Sequence, residues 1–338
     1  MKAYVLHDVN KLTYDDIPMP EYPEGWAIVK VKAAGICSSD IPRIFTKGTY
    51  HFPTIPGHEF SGIVHAVGNE GDASLIGKKV GVFPLIPCRE CNQCMQKRYE
   101  MCSHYDYVGS RRDGGFAEYV AVPVWNLIPL PDNISFISAA MLEPLSVALH
   151  AVKSGSIKET DDVGIVGTGM IGLAAAQWSS RFGARSVTVL GRNENKKNIV
   201  DKCGLRYMTS SNDIPQFDFV LEAVGTPLSI AIALSVVKPG GTVVFMGNPS
   251  GDICLSQDIY WQILRKQLRI KGTWNSSYEG GGQSDWTEAV EALSKAEIDV
   301  NPLVSHTYSQ NELVEGLNLM KNHQEPYCKI ITLWNENE

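Results

Sequence analysis

Hydrophobic positions along the chain follow two different rhythms. Up to about residue 130, short β-type runs dominate: WAIVKVKAAGI, FSGIVHAVG, KKVGVFPL and FAEYVAVPV. Glycine and proline punctuate them, the pattern of an all-β module with tight turns. From about Asp162 the rhythm changes. The runs VGIVG, SVTVLG, FDFVLEAVG, TVVFMG and LRIKGTW now alternate with helical stretches, the first of them rich in alanine. That alternation predicts βαβ units and a parallel sheet. Beyond about Asn275, two amphipathic helices near 284–296 and 310–322 precede a final strand, CKIITLW. The order predicts a discontinuous outer domain, 1–149 with 275–338, interrupted by an α/β domain at 150–274.

Composition agrees with two globular domains: 338 residues, 44% apolar and 20% charged. A net charge of −7 offers no basic surface to a nucleic acid. No apolar run approaches the ~18 residues of a membrane span. The opening MKAYVLHDVNKLTYDD carries acids where a secretory signal needs an apolar stretch. The expected location is the cytoplasm. Four of the eight cysteines fall between residues 88 and 102, and the others are scattered. In a cytoplasmic enzyme, such clustering points to metal ligation before disulfides.

Two local motifs carry chemistry. VGIVGTGMIGLAAAQW places Gly167-x-Gly169-x-x-Gly172 between an apolar strand and an alanine-rich helix. Gly167 permits the tight turn, Gly169 admits a pyrophosphate to the backbone, and Gly172 lets helix and strand pack closely. The helix N-terminus offers free N–H groups to phosphates. An NAD site usually has an acid at the end of the next strand, for the ribose 2′-hydroxyl. Here Gly191-Arg192 stands in its place. Glycine removes the charge that would repel a 2′-phosphate and Arg192 can pair with one, so NADP is favoured, with NAD the alternative. The second motif is Cys88-x-x-Cys91-x-x-Cys94-x7-Cys102. Four thiolates in a short loop can close a tetrahedron around a structural Zn²⁺. An iron–sulfur cluster or reduced, unliganded thiols are the competing readings.

A third constellation is dispersed. Cys37 in GICSSD, His58 in GHEFSG and Glu143 in MLEPLSVALHA make a plausible open zinc site, with a fourth position left for water or substrate.

With these motifs in place, the chain resembles the zinc-containing medium-chain alcohol and polyol dehydrogenases over essentially its whole length. CSSDIPRIFTKG, PGHEFSG, FPLIPCRECNQC, YDYVGSRRDGGFAEY, LEPLSVALHA and GTWNSSY carry the likeness, which leans to the branch acting on galactitol 1-phosphate. The resemblance implies a Rossmann doubly wound parallel sheet inserted into a GroES-like β-rich catalytic domain, with the active site in the cleft. It implies Cys37, His58 and Glu143 as catalytic-zinc ligands, and Glu59 as an acid that lies beside or replaces a ligand. It implies Ser39 as the proton relay, Asp40 as the partner of the ligand histidine, and Cys88, Cys91, Cys94 and Cys102 around the structural zinc. A homodimer or homotetramer is implied, with the sheet edge near Leu268–Gly272 as a contact.

The expected reaction is hydride transfer between NAD(P) and a secondary alcohol of a polyol or its phosphate. A phosphate would need a fixed cation, for which Arg43, Arg111 and Arg112 are candidates, against a purely structural role for all three. Trp274 and Asn275 are expected to border the substrate by resemblance alone. Two competing readings stand beside this one: a sorbitol- or threonine-type dehydrogenase with an unphosphorylated substrate, and a nucleotide-binding protein without turnover.

Overall fold

A computed structural model describes residues 1–68, 73–192, 194–209 and 214–334. Contacts divide the chain into two compact units. The first comprises Met1–Glu143, Ser277–Lys295 and Val304–Glu338; the second comprises Pro144–Ser276 and Ala296–Leu303.

The first unit is built on a seven-stranded sheet around the strand Trp26–Ile36. Ala27, Val29, Val31, Ala33 and Ala34 of that strand are fully buried. One edge pairs antiparallel with Glu59–Val67. Two strands share the other edge: Tyr119–Pro123 along its first half and Lys329–Leu333 along its second. The register sets Gly35 opposite both Glu59 and Ile331. The end of one strand and the beginnings of two others therefore meet at one point, which is where the chemistry-bearing residues lie. Gly35 makes room for them, because a Cβ there would stand 2.6 Å from a Glu59 carboxylate oxygen.

The second unit holds a six-stranded, wholly parallel sheet. Its spatial order is Arg206–Thr209, Ser186–Gly191, Asp162–Val166, Phe217–Glu222, Val237–Phe245, Arg269–Gly272. That order, 3-2-1-4-5-6 in chain sequence, is the doubly wound dinucleotide-binding topology. Its central strands are almost continuously apolar because helices cover both faces. Val163, Ile165, Val189, Phe219, Val220 and Leu221 are at most 1% exposed. The edge strand Arg206–Thr209 has no counterpart in the sequence pattern, since four residues of mixed polarity carry no readable alternation.

Two boundaries differ from the 149/150 and 274/275 divisions expected from the pattern. The helix Leu142–Gly155 carries the passage, so Glu143 closes the first unit and Pro144 opens the second. Residues 296–303 belong with the second unit through paired bonds. Gln177 Nε2 donates to Asp299 O at 2.8 Å, Asp299 N donates to Gln177 Oε1 at 2.9 Å, and Arg181 pairs with Glu297 at 2.7 Å. Among the described residues, no helix is long and apolar enough to cross a membrane.

Candidate active site

Cys37 leaves the end of Trp26–Ile36, His58 immediately precedes the neighbouring strand, and Glu59 opens it. One donor atom from each of Cys37, His58 and Glu59 lies within 4.8 Å of the other two. His58 and Glu59 are buried. Asp40 is fully buried beside them; its Oδ2 accepts from Cys37 N at 3.0 Å, and its Oδ1 stands 3.5 Å from His58 Nδ1. His58 Nδ1 thus faces Asp40, which leaves Nε2 for a metal, an arrangement common among ligand histidines. Burial works to lower the His58 pKa, but the charges of Asp40 and Cys37 outweigh it and hold the imidazole well above its usual value. Thiolate, imidazole and carboxylate fit Zn²⁺ with a position left open. Ser39 Oγ donates to Cys37 Sγ at 3.3 Å, so its hydroxyl sits against this set.

Glu143, expected as a further ligand, lies outside the 4.8 Å group, which takes in Glu59, the acid expected beside a ligand or in its place. Glu143 Oε1 accepts from Tyr107 Oη at 3.1 Å. Glu143 remains close enough to feel the site. Burial first, and then the Glu59 charge, push its carboxyl up to about 7, against His58 and Lys329. Lys329 is the second participant that sequence reasoning missed. It is 3% exposed, donates Nζ to Glu59 Oε2, and also bonds Ile36 O at 3.2 Å. Burial works to lower its pKa; the Glu59 and Cys37 charges prevail and raise it. No spacing rule flags Tyr107 or Lys329, because each acquires its partner through tertiary pairing alone.

The cysteine lobe gathers all four expected thiols. Cys88, Cys91, Cys94 and Cys102 have their sulfurs within 4.8 Å of one another, and every cysteine is free of disulfide. Cys88–Cys94 and Cys91–Cys102 separations are 3.9 Å, and Cys102–Cys88 is 3.4 Å. Thiolates about 2.3 Å from one tetrahedral ion stand about 3.8 Å apart, so the lobe has the dimensions of a closed zinc site.

The glycine motif lies in the second unit as its spacing predicts. Gly167 has φ +128°, a conformation that side chains avoid, and a Cβ on Gly172 would overlap Gly167 O. Gly169 faces open space and caps the helix Met170–Arg181. A side chain there would meet no protein, only the volume where a pyrophosphate would approach. Glu222, also missed from sequence, braces the neighbouring loop. It is fully buried, and its Oε1 accepts from Val224 N and Gly225 N, both at 2.8 Å. At the end of Ser186–Gly191, a Cβ on Gly191 would overlap the Tyr207 hydroxyl. Tyr207 therefore fills the space of the acid usual in NAD sites. Arg192 is exposed beside it.

The candidate substrate arginines are placed differently from one another. Arg43 Nη1 donates to Asp40 Oδ1 at 2.8 Å. Arg112 Nε donates to Asp106 Oδ2 at 2.8 Å, and the group lies over the Trp26 ring. Arg111 is stacked between Tyr50 and Tyr105. Trp274 is exposed and Asn275 adopts a left-handed backbone, both within the second unit.

A β-rich unit bearing two metal-donor clusters, joined to a doubly wound dinucleotide unit, defines a class, and sequence comparison agrees. Residues 23–132 match the alcohol dehydrogenase GroES-like domain, and residues 171–295 match the zinc-binding dehydrogenase domain. The chain belongs to the zinc-binding alcohol dehydrogenase family and is an oxidoreductase acting on CH–OH groups. It is 34% identical to galactitol 1-phosphate 5-dehydrogenase of Escherichia coli (strain K12), over 86% of this chain and 87% of that protein. L-threonine 3-dehydrogenase of Edwardsiella ictaluri (strain 93-146) is 30% identical over 94% and 95%. The crystal structure of galactitol-1-phosphate dehydrogenase from Escherichia coli superposes with a TM-score of 0.90 at 31% identity, covering 98% of this chain and all of that one.

Proposed function

We propose that this enzyme oxidises a secondary hydroxyl of a polyol phosphate, of galactitol 1-phosphate type, to a ketone, with NADP as the preferred acceptor. The observation that carries the reading is the meeting of Cys37, His58 and Glu59 with the Ser39 hydroxyl against them. A zinc ion held by this set would acidify a bound hydroxyl, as zinc brings water from about 15.7 towards about 7. The oxidation removes a hydride from the carbinol carbon, which the nicotinamide accepts, and a proton from the hydroxyl. Ser39 would relay that proton, giving up its own hydroxyl proton towards solvent as it takes the new one. Asp40 holds His58 and Cys37 in position, and Lys329 holds Glu59. A carboxylate donor in place of a second thiolate makes the site harder and better suited to neighbouring hydroxyls. Likeness to the galactitol 1-phosphate enzyme supports the substrate class. The four-cysteine lobe would hold a second, structural zinc.

NADP is supported by Gly191 and Tyr207 at the usual place of the acid, and by an exposed Arg192 available to a 2′-phosphate. A second copy of the chain would pair along the strand Arg269–Gly272, all four of whose residues are exposed, as are Tyr260, Trp261 and Leu264 on the preceding helix. L-Threonine oxidation is the second reading, favoured by the 30% identity over nearly the whole chain.

Turnover of galactitol 1-phosphate, galactitol, sorbitol and L-threonine, each with NAD and NADP and with zinc content measured alongside, tests these assignments. Turnover of L-threonine alone would replace the first reading with the second. Full activity in zinc-stripped enzyme would remove both.

A further inference from the structure

The three candidate arginines differ in what already occupies their charge. Arg43 is paired with buried Asp40, and Arg112 with Asp106. Arg111 makes no ion pair among the described residues, and the carboxylate whose charge reaches it, Asp106, is the one that Arg112 holds. Its guanidinium lies 4.2 Å from the centre of the Tyr50 ring and 4.5 Å from that of Tyr105. Nη1 donates to Tyr105 O at 2.9 Å. Nε is buried without an acceptor among the described residues. The backbone at this point lies against a histidine too: the His51 Nε2 is 3.0 Å from Arg111 O and its Nδ1 3.0 Å from Pro53 O, and the ring N–H can donate to either carbonyl.

Two aromatic faces fix the plane of a guanidinium without neutralising it. A fork held in this way loses little freedom on binding, and it suits an oxyanion that can take two parallel N–H bonds. The group also lies within the same unit as the donor cluster, with a run of ring contacts between them. Tyr105 stands edge-on to Tyr107 at 6.2 Å, and Tyr107 is 5.7 Å from the His58 ring.

We infer that Arg111, clamped by Tyr50 and Tyr105, receives the phosphate monoester end of the substrate while a remote hydroxyl is oxidised at Cys37, His58 and Glu59. The inference rests on the polyol-phosphate reading and selects one cation from three. A dianion suits an uncompensated charge between two rings better than a neutral polyol does, so Arg111 sets the preference for the phosphorylated substrate.

The test is the ratio of kcat/KM for galactitol 1-phosphate to that for galactitol, in the zinc-loaded enzyme and in Arg111→Met. Losing a charge-assisted pair is expected to lower the ratio by about 10-fold to 100-fold. Tyr50→Leu removes one face of the clamp from an exposed position and is expected to lower the ratio by about 3-fold or more. If wild type prefers the phosphate ester and both variants keep that preference, Arg111 is not the receptor and the polyol-phosphate reading survives. A parallel fall on both substrates, which leaves the ratio unchanged, assigns Arg111 to loop structure and overturns the inference in the same way. If wild type shows no preference, the polyol-phosphate reading itself fails and takes the inference with it.

Discussion

Replacing Lys329 with methionine keeps an unbranched stem and removes the charge. In the native chain Lys329 is 3% exposed and Glu59 1% exposed, and Nζ bonds both Glu59 and Ile36 O. The variant would leave Glu59 as a buried carboxylate whose cation is gone, and orphaning one member of such a pair costs about 3–5 kcal/mol. The first unit has roughly 200 residues, a size at which each kcal/mol moves Tm by about 2–4 °C. Calorimetry of chelator-treated Lys329→Met should therefore show its transition lowered by about 6–20 °C. Zinc on Glu59 would supply part of the missing positive charge, so the loss should be smaller in the loaded protein. Adding Glu59→Gln to Lys329→Met removes the orphaned charge and should recover at least about half of the loss in stripped protein. A fall below about 2 °C in Lys329→Met, or a double variant no more stable than the single one, would refute the assignment of this pair.

Three further outcomes are expected. Cys102→Ser should lose about one zinc per chain by metal analysis; unchanged metal content would mean that the lobe does not bind zinc. Gly191→Asp should weaken both cofactors because the new side chain overlaps Tyr207, whereas Gly191→Asp with Tyr207→Ala should raise the NAD-to-NADP ratio of kcat/KM by at least about tenfold. A clean shift to NAD in the single variant would contradict the steric argument. Asp162 is held below the usual carboxylate pKa by Arg185, with Ser186 and Lys238 adding. Its contribution is then full above an unfolded value of about 3.9 and is lost as pH falls through the depressed folded value. Asp162→Asn should cost about 1 kcal/mol at pH 7, discounted because Arg185 is largely exposed, with the deficit closing in acid. Urea midpoints that differ equally at all pH values would disprove the linkage.

The parts of this molecule legible from sequence are those encoded by neighbours. The glycines at 167, 169 and 172 act within one turn, and the cysteines at 88, 91, 94 and 102 within one loop, so spacing alone carries their meaning. Cys37 and His58 were expected from the resemblance and not from spacing; they come together because their strands are neighbours in the sheet. The bond between Tyr107 and Glu143 was not readable, because hairpin pairing rather than spacing places the phenol. Tyr207 was hidden in the same way, on a four-residue edge strand with no hydrophobic alternation, and its importance depends on a missing side chain at Gly191. The arginines were recognisable as cations; Arg43 pairs locally with Asp40 three positions before it, whereas the Arg112 pair with Asp106 needs the turn between them to fold.

Lys329 reaches Glu59 from 270 positions further along the chain. During synthesis the ribosome will have released Cys37, His58, Glu59 and the entire contiguous stretch 144–276 before the lysine emerges. Until then the Glu59 carboxylate has no countercharge to accompany it out of water, which opposes sealing of the surrounding sheet. The parallel sheet waits for nothing of the kind, because every one of its strands is contiguous between Asp162 and Gly272. The order of translation thus favours a nucleotide-binding half that matures early and a metal pocket that is latched by one of the last strands to arrive.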